Sequence, residues 1–404
     1  MGISIGLVGL GDFGSQFAEL FTHHPLVDRV GLCDREPDRI RKFADRPDFK
    51  AKFSPKDAYA SLDDICKSDL DALVIITQHW LHTPQAIQAM NAGKHVYSAV
   101  PLISIPDHHE ILDWCNKLVE TVKRTGALYM YGETTYYRPQ AMFCRRKAAE
   151  GAFGDFVYAE GEYFHDVDSW CNLRNVSKHR MASTAGAEWR EKMKTYTGSR
   201  GKGGPMLYPT HSTCGPVSVM KAHAKKVTAY GYRNRTGDPY FADSAFSNEI
   251  ALYRMSNGAV VRICECREVA NKLGNDEETF RVMGTRGTFS ENTWSVNFRE
   301  KDFSPAKPPE VKRMKDEELR DPLPPDVLKA WTSTKKESDV YGGHGGSHAH
   351  LVHEFVDAIA HKRQPAITAW DAVRYTAMGA MAHESALRDG ETLDVPDWGD
   401  PPGR

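Results

Sequence analysis

The chain has 404 residues, of which 41% are hydrophobic and 26% charged, and its 52 lysines and arginines nearly balance 54 aspartates and glutamates. This composition excludes a wholly disordered or collagen-like chain. The net charge of −2 argues against a generally basic nucleic-acid binder. No stretch approaches the ~20 consecutive apolar residues of a membrane helix, so no membrane span is predicted. The length suits two or three domains of roughly 150 residues each.

The eight cysteines are scattered along the chain and form no CxxC pair. This pattern argues against a zinc ribbon or a disulfide framework and favours reduced core residues. A strand-like run, Ile3–Val8, follows the first Met almost directly, so no signal peptide is expected and the chain as given is assigned to the cytoplasm. A secreted parent trimmed of its leader would look the same, which leaves an exported origin open.

Short apolar runs alternate with helix-like stretches over residues 1–131. This alternation predicts βαβ units with right-handed crossovers, and therefore an α/β domain with a doubly wound parallel sheet. The predicted strands are Ile3–Val8, Val30–Cys33, Ala72–Ile76, His95–Tyr97 and Ala127–Met130. The predicted helices are Phe13–His23, Asp38–Ala44, Pro84–Ala92 and His108–Lys123.

The pattern changes over residues 132–404, where a helix at Pro139–Glu150 precedes long alternating runs that predict an α+β domain with a large, mostly antiparallel sheet. Asn257-Gly258 predicts a tight hairpin. The polar residues 300–340 predict a solvated insertion with little regular structure, and helices are predicted at 347–361 and 370–388. The predicted strands are Phe156–His165, Lys226–Tyr232, Asn248–Met255, Ala259–Cys266 and Thr279–Val282.

A glycine fingerprint links the first strand to the first helix, in the order Gly9-Leu10-Gly11-Asp12-Phe13-Gly14. Its glycines permit a tight turn, close approach of a pyrophosphate and close packing of helix on strand, while the helix N-terminus faces the phosphates. Asp34 lies 20 residues beyond Gly14, where a carboxylate binds the ribose hydroxyls of NAD and repels a 2′-phosphate. Arg35 is a counter-signal, because a neighbouring arginine can accommodate that phosphate. The alternative is a glycine-rich turn without a ligand.

Further segments resemble the Gfo/Idh/MocA oxidoreductase family. They are Thr77–Pro84 (TQHWLHTP), Ala92–Val96 (AGKHV) and Ser385–Gly390 (SALRDG). The resemblance covers nearly the whole chain and implies an N-terminal Rossmann domain, a C-terminal domain with a large open sheet, and a sugar or polyol bound between them. It also assigns cofactor contacts to Thr77, His79, His82 and Pro101. It implies a homo-oligomer, dimer or tetramer, associated through the outer face of that sheet.

The chain departs from ordinary dehydrogenases of this family at two catalytic positions. Where they carry Glu-Lys-Pro after the fourth strand, this chain has Ala99-Val100-Pro101, so the lysine that helps move the alcohol proton is missing. Where they carry an Asp and a His four residues apart, Pro209 takes the place of the Asp and His211 comes two positions early. These departures indicate a different set of proton-handling groups.

Three motifs resemble the NAD-dependent glycosidase branch of the family, the α-N-acetylgalactosaminidase-like enzymes. They are Tyr208–His211 (YPTH) followed by Gly215-Pro216-Val217, Tyr341–Gly346 (YGGHGG) and Gly161–Asp166 (GEYFHD). Glu133 fits a glutamate of that branch, although Ala99 stands where the branch usually has another. The resemblance implies that tightly bound, recycled NAD+ oxidises a sugar hydroxyl, typically at C3. Proton removal at C2, loss of the anomeric substituent, water addition and re-reduction then follow.

Several residues are candidates for this chemistry. Tyr163 and His165 share one face of a predicted strand, and the resemblance makes Tyr163 the C2 base and His165 its partner. His211 is the candidate for the oxidised hydroxyl, because an imidazole exchanges protons near neutral pH. The residues expected to bind substrate are Glu133, Tyr208, Tyr341 and His344. The alternative for each is a structural residue packed in the fold.

Other functions remain open at this point. A plain NAD-dependent sugar or polyol dehydrogenase with a rearranged proton relay is the first alternative, followed by a lyase or a C3-ketoglycoside enzyme. A cofactor-binding regulator without catalysis is the third. His344, His348, His350 and His353 suggest a metal site, but no nearby cysteine or carboxylate completes one in the sequence, so no metal is predicted. The expected partners are a small glycoside or sugar, with neither nucleic acid nor membrane.

Overall fold

A computed structural model describes residues 2–168, 172–198, 202–270, 278–299, 305–333 and 336–402. The first of its two sheets is a six-stranded parallel sheet in the order β3-β2-β1-β4-β5-β6. This order confirms the predicted doubly wound domain. The strands are β1 (Ile3–Val8), β2 (Val27–Cys33), β3 (Ala58–Tyr59), β4 (Ala72–Ile75), β5 (His95–Ala99) and β6 (Tyr129–Gly132).

The helices of this half cross over between the parallel strands. They are α1 (Gly14–His23), α2 (Pro37–Ala44), α3 (Leu62–Cys66), α4 (His82–Asn91) and α5 (His108–Thr125). Helix α5 shows why these bounds arise: the Asp107 carboxylate accepts hydrogen bonds from the backbone N–H groups of His109 and Glu110. At its other end Gly126 adopts a left-handed conformation with φ +68°.

The second sheet has nine strands in the order β14-β13-β12-β11-β7-β10-β9-β8-β15. It is antiparallel except for the pair β7–β10, as far as the described strands show, which confirms the predicted mostly antiparallel sheet. The predicted hairpin at Asn257-Gly258 joins β9 to β10, with Gly258 at φ +88°. The strands are β7 (Phe156–Phe164), β8 (Ala224–Tyr232), β9 (Asn248–Met255), β10 (Val260–Cys266), β11 (Glu278–Gly284), β12 (Gly287–Ser290), β13 (Thr293–Arg299), β14 (Pro305–Arg313) and β15 (Leu393–Asp394).

Helices cover the inner face of this second sheet and connect it to the first. A 3-10 turn at Thr134–Tyr137 and helix α6 (Pro139–Ala149) lead from β6 into β7. Helix α9 (Thr210–Met220) packs on β7, β10 and β11, and α15 (Ala369–Leu387) packs on both β8 and α5. The remaining helices in this half are α7 (Leu173–Ala182), α8 (Thr184–Met193), α10 (Asp316–Leu319), α11 (Pro325–Thr332), α12 (Glu337–Val340), α13 (Gly343–Gly346, one irregular turn) and α14 (His348–Ala360).

The prediction of little regular structure in residues 300–340 is wrong for the described part of that stretch. Strand β14 and helices α10, α11 and α12 lie within it. Five of its apolar residues are buried, and the indole Nε1 of Trp331 donates to the Leu20 carbonyl at 2.9 Å. The high content of Pro, Lys, Asp and Glu concealed this apolar spacing. The buried residues concerned are Leu319, Leu323, Val327, Trp331 and Val340.

Seven cysteines lie in the described ranges, and all of them are buried free thiols, as predicted for reduced core residues. The eighth, Cys171, lies outside the described residues. Within the same ranges no helix is both long enough and apolar enough to cross a membrane.

Candidate active site

The glycine turn between β1 and α1 is shaped for close backbone approach. Gly9 has φ +91°, and a Cβ there would lie 2.3 Å from the Ile76 carbonyl oxygen. A Cβ on Gly14 would lie 2.0 Å from the carbonyl oxygen of Gly9, so both positions require glycine. At Gly11 a Cβ would meet nothing nearer than Arg39 Nη1 at 3.8 Å, which leaves the backbone open to a ligand. These residues fit the pyrophosphate of a dinucleotide at the start of α1.

Asp34 lies at the carboxyl end of β2, beside the glycine turn. Its Oδ2 accepts a hydrogen bond from the Leu10 N–H at 2.8 Å, and its Oδ1 accepts one from the Glu36 N–H at 2.9 Å. Each carboxylate oxygen keeps a further lone pair for a ribose hydroxyl. Arg35 is paired with Glu188 through two hydrogen bonds, at 2.8 and 2.7 Å, so its guanidinium is engaged away from Asp34.

The loop after β4 is braced by His82. Its Nδ1 lies 2.8 Å from the carbonyl oxygen of Pro101, and its Nε2 lies 3.3 Å from that of Thr77. Burial lowers the pKa of His82 to about 4, so the ring is neutral at neutral pH. Burial also lowers the pKa of His79 well below its usual value, and His79 Nδ1 is a buried atom without a hydrogen-bond partner among the described residues. His82 thus positions this loop, while His79 keeps an unused polar atom.

The predicted catalytic side chains converge beside the glycine turn. The ring of Tyr163 contacts His165 and His211, with centroids 5.1 and 5.3 Å away. His211 in turn lies 6.1 Å from Tyr208 and 5.9 Å from His344. The ring of Phe13, in the glycine turn itself, contacts His344 edge-on at 5.6 Å. The carboxyl end of β7, the α9 N-terminus and the loop before α14 therefore meet the cofactor turn at one place.

A buried ion pair stands at the centre of this cluster. His211 Nδ1 lies 2.8 Å from Glu133 Oε1, which also accepts a hydrogen bond from the Thr135 N–H at 2.9 Å. Burial lowers the pKa of His211, but the charges of Glu133 and Glu278 outweigh it and raise that pKa to about 9. The other carboxylate oxygen of Glu133, Oε2, is buried and has no hydrogen-bond partner among the described residues. The site thus holds a protonated imidazole and a spare acceptor.

Tyr163 and His165 are both uncharged at neutral pH, unlike His211. Burial raises the pKa of Tyr163 well above its usual range, so its phenol keeps its proton at neutral pH. Burial, followed by the charge of Arg267, lowers the pKa of His165 to about 4, so its ring is neutral. Arg267 lies over the Tyr163 ring at 4.4 Å from the centroid and opposes the rise in the tyrosine's pKa.

Arg267 and Glu265 are two site residues that sequence reasoning missed. Arg267 Nη2 donates to Glu265 Oε2 at 2.7 Å, and its Nη1 donates to the Tyr163 carbonyl at 3.3 Å. Glu265 also accepts a hydrogen bond from the hydroxyl of Ser212, next to His211. These contacts connect Arg267, which packs on Tyr163, to Ser212, the neighbour of His211. Two charged residues at the end of the otherwise buried run β10 were the available signal.

Arg138 and Glu278 are two further site residues absent from the sequence predictions. They form an ion pair, and Arg138 Nη1 also donates to the Glu278 carbonyl at 2.9 Å. Burial raises the pKa of Glu278, but Arg138 and His211 outweigh it and lower that pKa to about 2. Ligand atoms of His211, Glu278 and His344 lie within 4.8 Å of one another, so the fold supplies a carboxylate that the histidine-rich sequence lacked nearby. Arg138 already neutralises that carboxylate.

Tyr341 and His344, the two predicted substrate contacts in the glycine-rich loop, lie in different surroundings in the structure. His344 joins the cluster through a left-handed turn (φ 51°, ψ 51°), and its Nδ1 lies 3.0 Å from His348 Nε2. The two histidines therefore meet although the helix begins only at His348. Tyr341 packs between Arg320 and His350, at 4.4 and 5.8 Å from its ring centroid. No ring contact of the described residues joins Tyr341 to Tyr163 or His211.

Two family models match the chain. Residues 3–133 match the Gfo/Idh/MocA model, described as an oxidoreductase family with an NAD-binding Rossmann fold. Residues 276–401 match the model of the glycosyl hydrolase 109 C-terminal domain. Together they confirm the NAD cofactor and the family to which the sequence motifs pointed.

Curated relatives and solved structures agree with these matches. A glycosyl hydrolase family 109 protein of Stenotrophomonas maltophilia (strain K279a) is 24% identical and aligns over 98% of this chain and 89% of its own length. One from Solibacter usitatus (strain Ellin6076) is also 24% identical, over 98% and 88%.

Among solved structures, a levoglucosan dehydrogenase in complex with NADH and levoglucosan has a TM-score of 0.71 at 19% identity, covering 98% of this chain and 100% of that one. An oxidoreductase domain protein from Kribbella flavida has a TM-score of 0.70 at 17% identity, with the same coverage. These likenesses confirm the fold. The chain is therefore similar to the Gfo/Idh/MocA oxidoreductase family over residues 3–133 and to the C-terminal domain of glycosyl hydrolase family 109 over residues 276–401.

Proposed function

We propose that this protein is an NAD-dependent glycoside hydrolase that cleaves the glycosidic bond by transient oxidation. The observation that carries the proposal is the buried Glu133–His211 pair in ring contact with Tyr163, next to the glycine turn. The glycosyl hydrolase 109 domain and the absence of the dehydrogenase lysine at Val100 support it. NAD+ held by the glycine turn and Asp34 would supply a hydride acceptor for the C3–H of the sugar.

The bonds balance over one turnover. The C3 hydroxyl loses its proton and C3 its hydride, giving a ketone that acidifies C2–H. Loss of the C2 proton gives an enolate, and its electron pair breaks the bond between C1 and the aglycone oxygen, which leaves with a proton. Water adds to C1, C2 regains a proton, and the ketone is reduced. The net change is hydrolysis, without the oxocarbenium-like transition state and flanking carboxylate pair of ordinary glycosidases.

His211 and Glu133 handle the hydroxyl proton at C3 in this proposal. His211 must lose its own proton before it can accept that of the hydroxyl, and Glu133 Oε2 is the acceptor available beside it. In its protonated form the imidazole donates to the C3 oxygen as negative charge develops there. Tyr208 and His344, on either side of His211, hold the sugar.

Tyr163 removes the C2 proton as its phenolate, so the phenol must first release its own proton, for which the neutral ring of His165 is the acceptor beside it. Arg267, over the ring, favours that phenolate electrostatically, and the neutral ring of His165 is in contact with Tyr163. Glu265 holds Arg267 in place from the buried side. NAD is proposed to stay bound and to be recycled, because oxidation and reduction belong to the same turnover.

Two measurements test the proposal. The protein as purified is incubated with a panel of aryl glycosides without added cofactor, and aglycone release and NADH absorbance are followed together. We expect release without accumulation of NADH. Stoichiometric NADH with an intact glycosidic bond would instead establish the alternative, a sugar dehydrogenase.

The second measurement is exchange of solvent deuterium into C2 of the sugar, which reports directly on the C2 base. Tyr163→Phe is expected to abolish exchange and to lower turnover by about 10²-fold or more. The matched control is Tyr158→Phe on the same strand, whose hydroxyl donates to Glu160 and should leave exchange unchanged. Unchanged exchange and turnover in Tyr163→Phe would remove Tyr163 from the role of base.

A further inference from the structure

A helical pair from the C-terminal half reaches across to the first sheet. Helices α7 and α8 and the turn after them, residues 172–196, are called the clasp below. Thr184, Glu188, Lys192 and Tyr196 follow one another at intervals of four, so they lie along one face of α8 and its extension. All four contact the N-terminal half, and Trp189 contacts it beside them.

These contacts fall on three loops at one edge of the parallel sheet. Glu188 and Thr184 contact Arg35 and Glu36, directly after Asp34 at the end of β2. Trp189 contacts Trp80, directly after His79 in the loop that follows β4.

Lys192 and Tyr196 contact Glu110, at the start of α5, in the segment after β5. Strands β2, β1, β4 and β5 are neighbours in the sheet, and a dinucleotide binds along their carboxyl edge. The clasp therefore runs along the cofactor groove from the ribose carboxylate to the loop on the nicotinamide side.

Each contact has good geometry. Arg35 and Glu188 form a bidentate pair at 2.8 and 2.7 Å. The indoles of Trp80 and Trp189 stack at 4.8 Å with an interplanar angle of 15°.

The Glu110 carboxylate accepts hydrogen bonds from Tyr196 at 2.8 Å and from Lys192 at 3.0 Å. Three separate anchors thus connect the clasp to the N-terminal half.

The two helices of the clasp pack closely on each other. Ser183 alone joins its helices, and its hydroxyl caps α8 by accepting from the Gly186 N–H at 3.1 Å. A Cβ on Gly186 would lie 2.1 Å from the Arg180 carbonyl oxygen, so the helices pack closely there. At its base, Arg174 forms ion pairs with Asp168 at 2.7 Å and Asp238 at 2.9 Å. This base belongs to the C-terminal half, whereas the three anchors lie on the N-terminal half.

We propose that the clasp closes over the bound dinucleotide and retains it between turnovers, and that its Glu188 disfavours NADP by occupying Arg35. An arginine beside the ribose-binding carboxylate is the group that accommodates a 2′-phosphate in related sites. Here the Arg35 guanidinium already uses both terminal nitrogens on Glu188, and Arg39 pairs with Asp34 itself, its Nη1 lying 3.5 Å from Asp34 Oδ2. Selectivity for NAD therefore comes from two halves of the chain, Asp34 in one and Glu188 in the other. The inference rests on NAD binding and is independent of the glycosidase proposal.

Retention is tested by the dissociation rate of NADH, measured as loss of its fluorescence when excess NAD+ is added. Trp189→Ala combined with Glu188→Gln removes two anchors and should raise the rate about tenfold or more. The matched control is Glu191→Gln, three residues along the same helix, which pairs with Lys194 inside the clasp and should leave the rate unchanged. An unchanged rate in the double variant would overturn retention.

A second variant guards against simple loss of folding. Arg35→Cys with Glu188→Cys, bridged by a bis-maleimide, fixes the clasp in its closed position. The bridge should slow NADH dissociation at least about fivefold relative to the unbridged variant. Wild type treated with the reagent is the control for the native cysteines. Equal rates before and after bridging would show that the clasp does not gate the groove.

Selectivity is tested separately by the ratio of the Kd values for NADPH and NADH. Glu188→Gln frees Arg35 and should lower that ratio several-fold, and more strongly when Asp34→Ala is also present. Adding Arg35→Ala to the Glu188→Gln variant should return the ratio toward its wild-type value. A ratio unchanged by Glu188→Gln in both backgrounds would remove Glu188 from cofactor selection. The dissociation rates and the Kd ratio all measure cofactor binding, so their outcome does not depend on whether the protein cleaves glycosides.

Discussion

The protonation state of each histidine in the site depends on the charges buried beside it. His211 holds a proton at neutral pH because Glu133 and Glu278 outweigh its burial. His165 and His344, a few ångströms away, are neutral because burial dominates and lowers the pKa of each to about 4. The three histidines thus differ in protonation, because the hydrogen bond to the Glu133 carboxylate adds to the charge of Glu278 at His211.

Glu133→Gln tests this assignment through the pH dependence of turnover. In the wild type the pH profile should have a limb in which kcat/KM rises with pH through about 9, because His211 must be neutral to accept the hydroxyl proton. Removing the carboxylate charge lowers the pKa of His211, so the limb should move to lower pH by about 1–3 units. The measurement is kcat/KM from pH 6 to 10.

Glu162→Gln is the control for that profile, because Glu162 lies on β7 and pairs with Arg262 outside the cluster. Its limb should stay in place. If Glu133→Gln leaves the rising limb of kcat/KM at the wild-type pH, the titrating group is not His211.

Elements position these side chains from distant parts of the chain. The β7 end carries Tyr163, the α9 start carries His211, and the exit of β6 carries Glu133. The stretch 305–340 supports them indirectly, because α11 docks on α1 through Trp331. Its burial explains why a segment with the composition of a surface insertion is folded.

Trp331→Phe tests that docking. It keeps most of the buried aromatic surface but removes the indole hydrogen bond to the Leu20 carbonyl, leaving that buried acceptor unsatisfied. We expect a loss of about 1–3 kcal/mol in the free energy of unfolding, measured by urea denaturation. Lys329→Ala, exposed on the same helix, should change it by no more than about 0.5 kcal/mol. A Trp331→Phe midpoint equal to that of the wild type would show that α11 contributes no stability at this contact.

The whole molecule leaves one apolar surface uncovered on the outer face of the second sheet. Tyr230, Ile250 and Leu252 are 62%, 47% and 46% exposed on the neighbouring strands β8 and β9. Tyr230 pairs with Ile250 across the two strands, so the patch is continuous. A contiguous exposed apolar patch is typical of a protein–protein interface, and we propose that a second copy of this chain covers it.

Leu252→Glu is expected to weaken self-association, because it places a charge in the middle of that patch. Light scattering coupled to gel filtration should give a lower mass for the variant at the same concentration. Lys50→Gln, an exposed site on the first half with the same change in charge, is the control and should keep the wild-type mass. A monomeric wild type would contradict the proposal, and so would an unchanged mass in Leu252→Glu.

Local patterns predicted most of the fold, and the misses have physical reasons. Periodicity identified the parallel strands and the glycine turn because those signals lie within a few neighbouring residues. It missed the fold of residues 305–340, where six prolines and many charges hide a sparse apolar spacing. It also missed Arg138 and Glu278, since an ion pair between residues 140 positions apart leaves no local mark. Glu265 and Arg267 are only two residues apart, but what they contact follows from the fold and not from their sequence neighbours.

The sequence by itself determined the NAD-binding fold and supplied the candidates for proton transfer, because both rest on short motifs whose geometry is local. Tertiary structure alone decided their chemistry. The protonation of His211, the cation over Tyr163 and the pairing of Arg35 with Glu188 all arise from charges brought together across the fold. A charge shifts a pKa according to its distance in space and its burial, and neither quantity follows from separation along the chain.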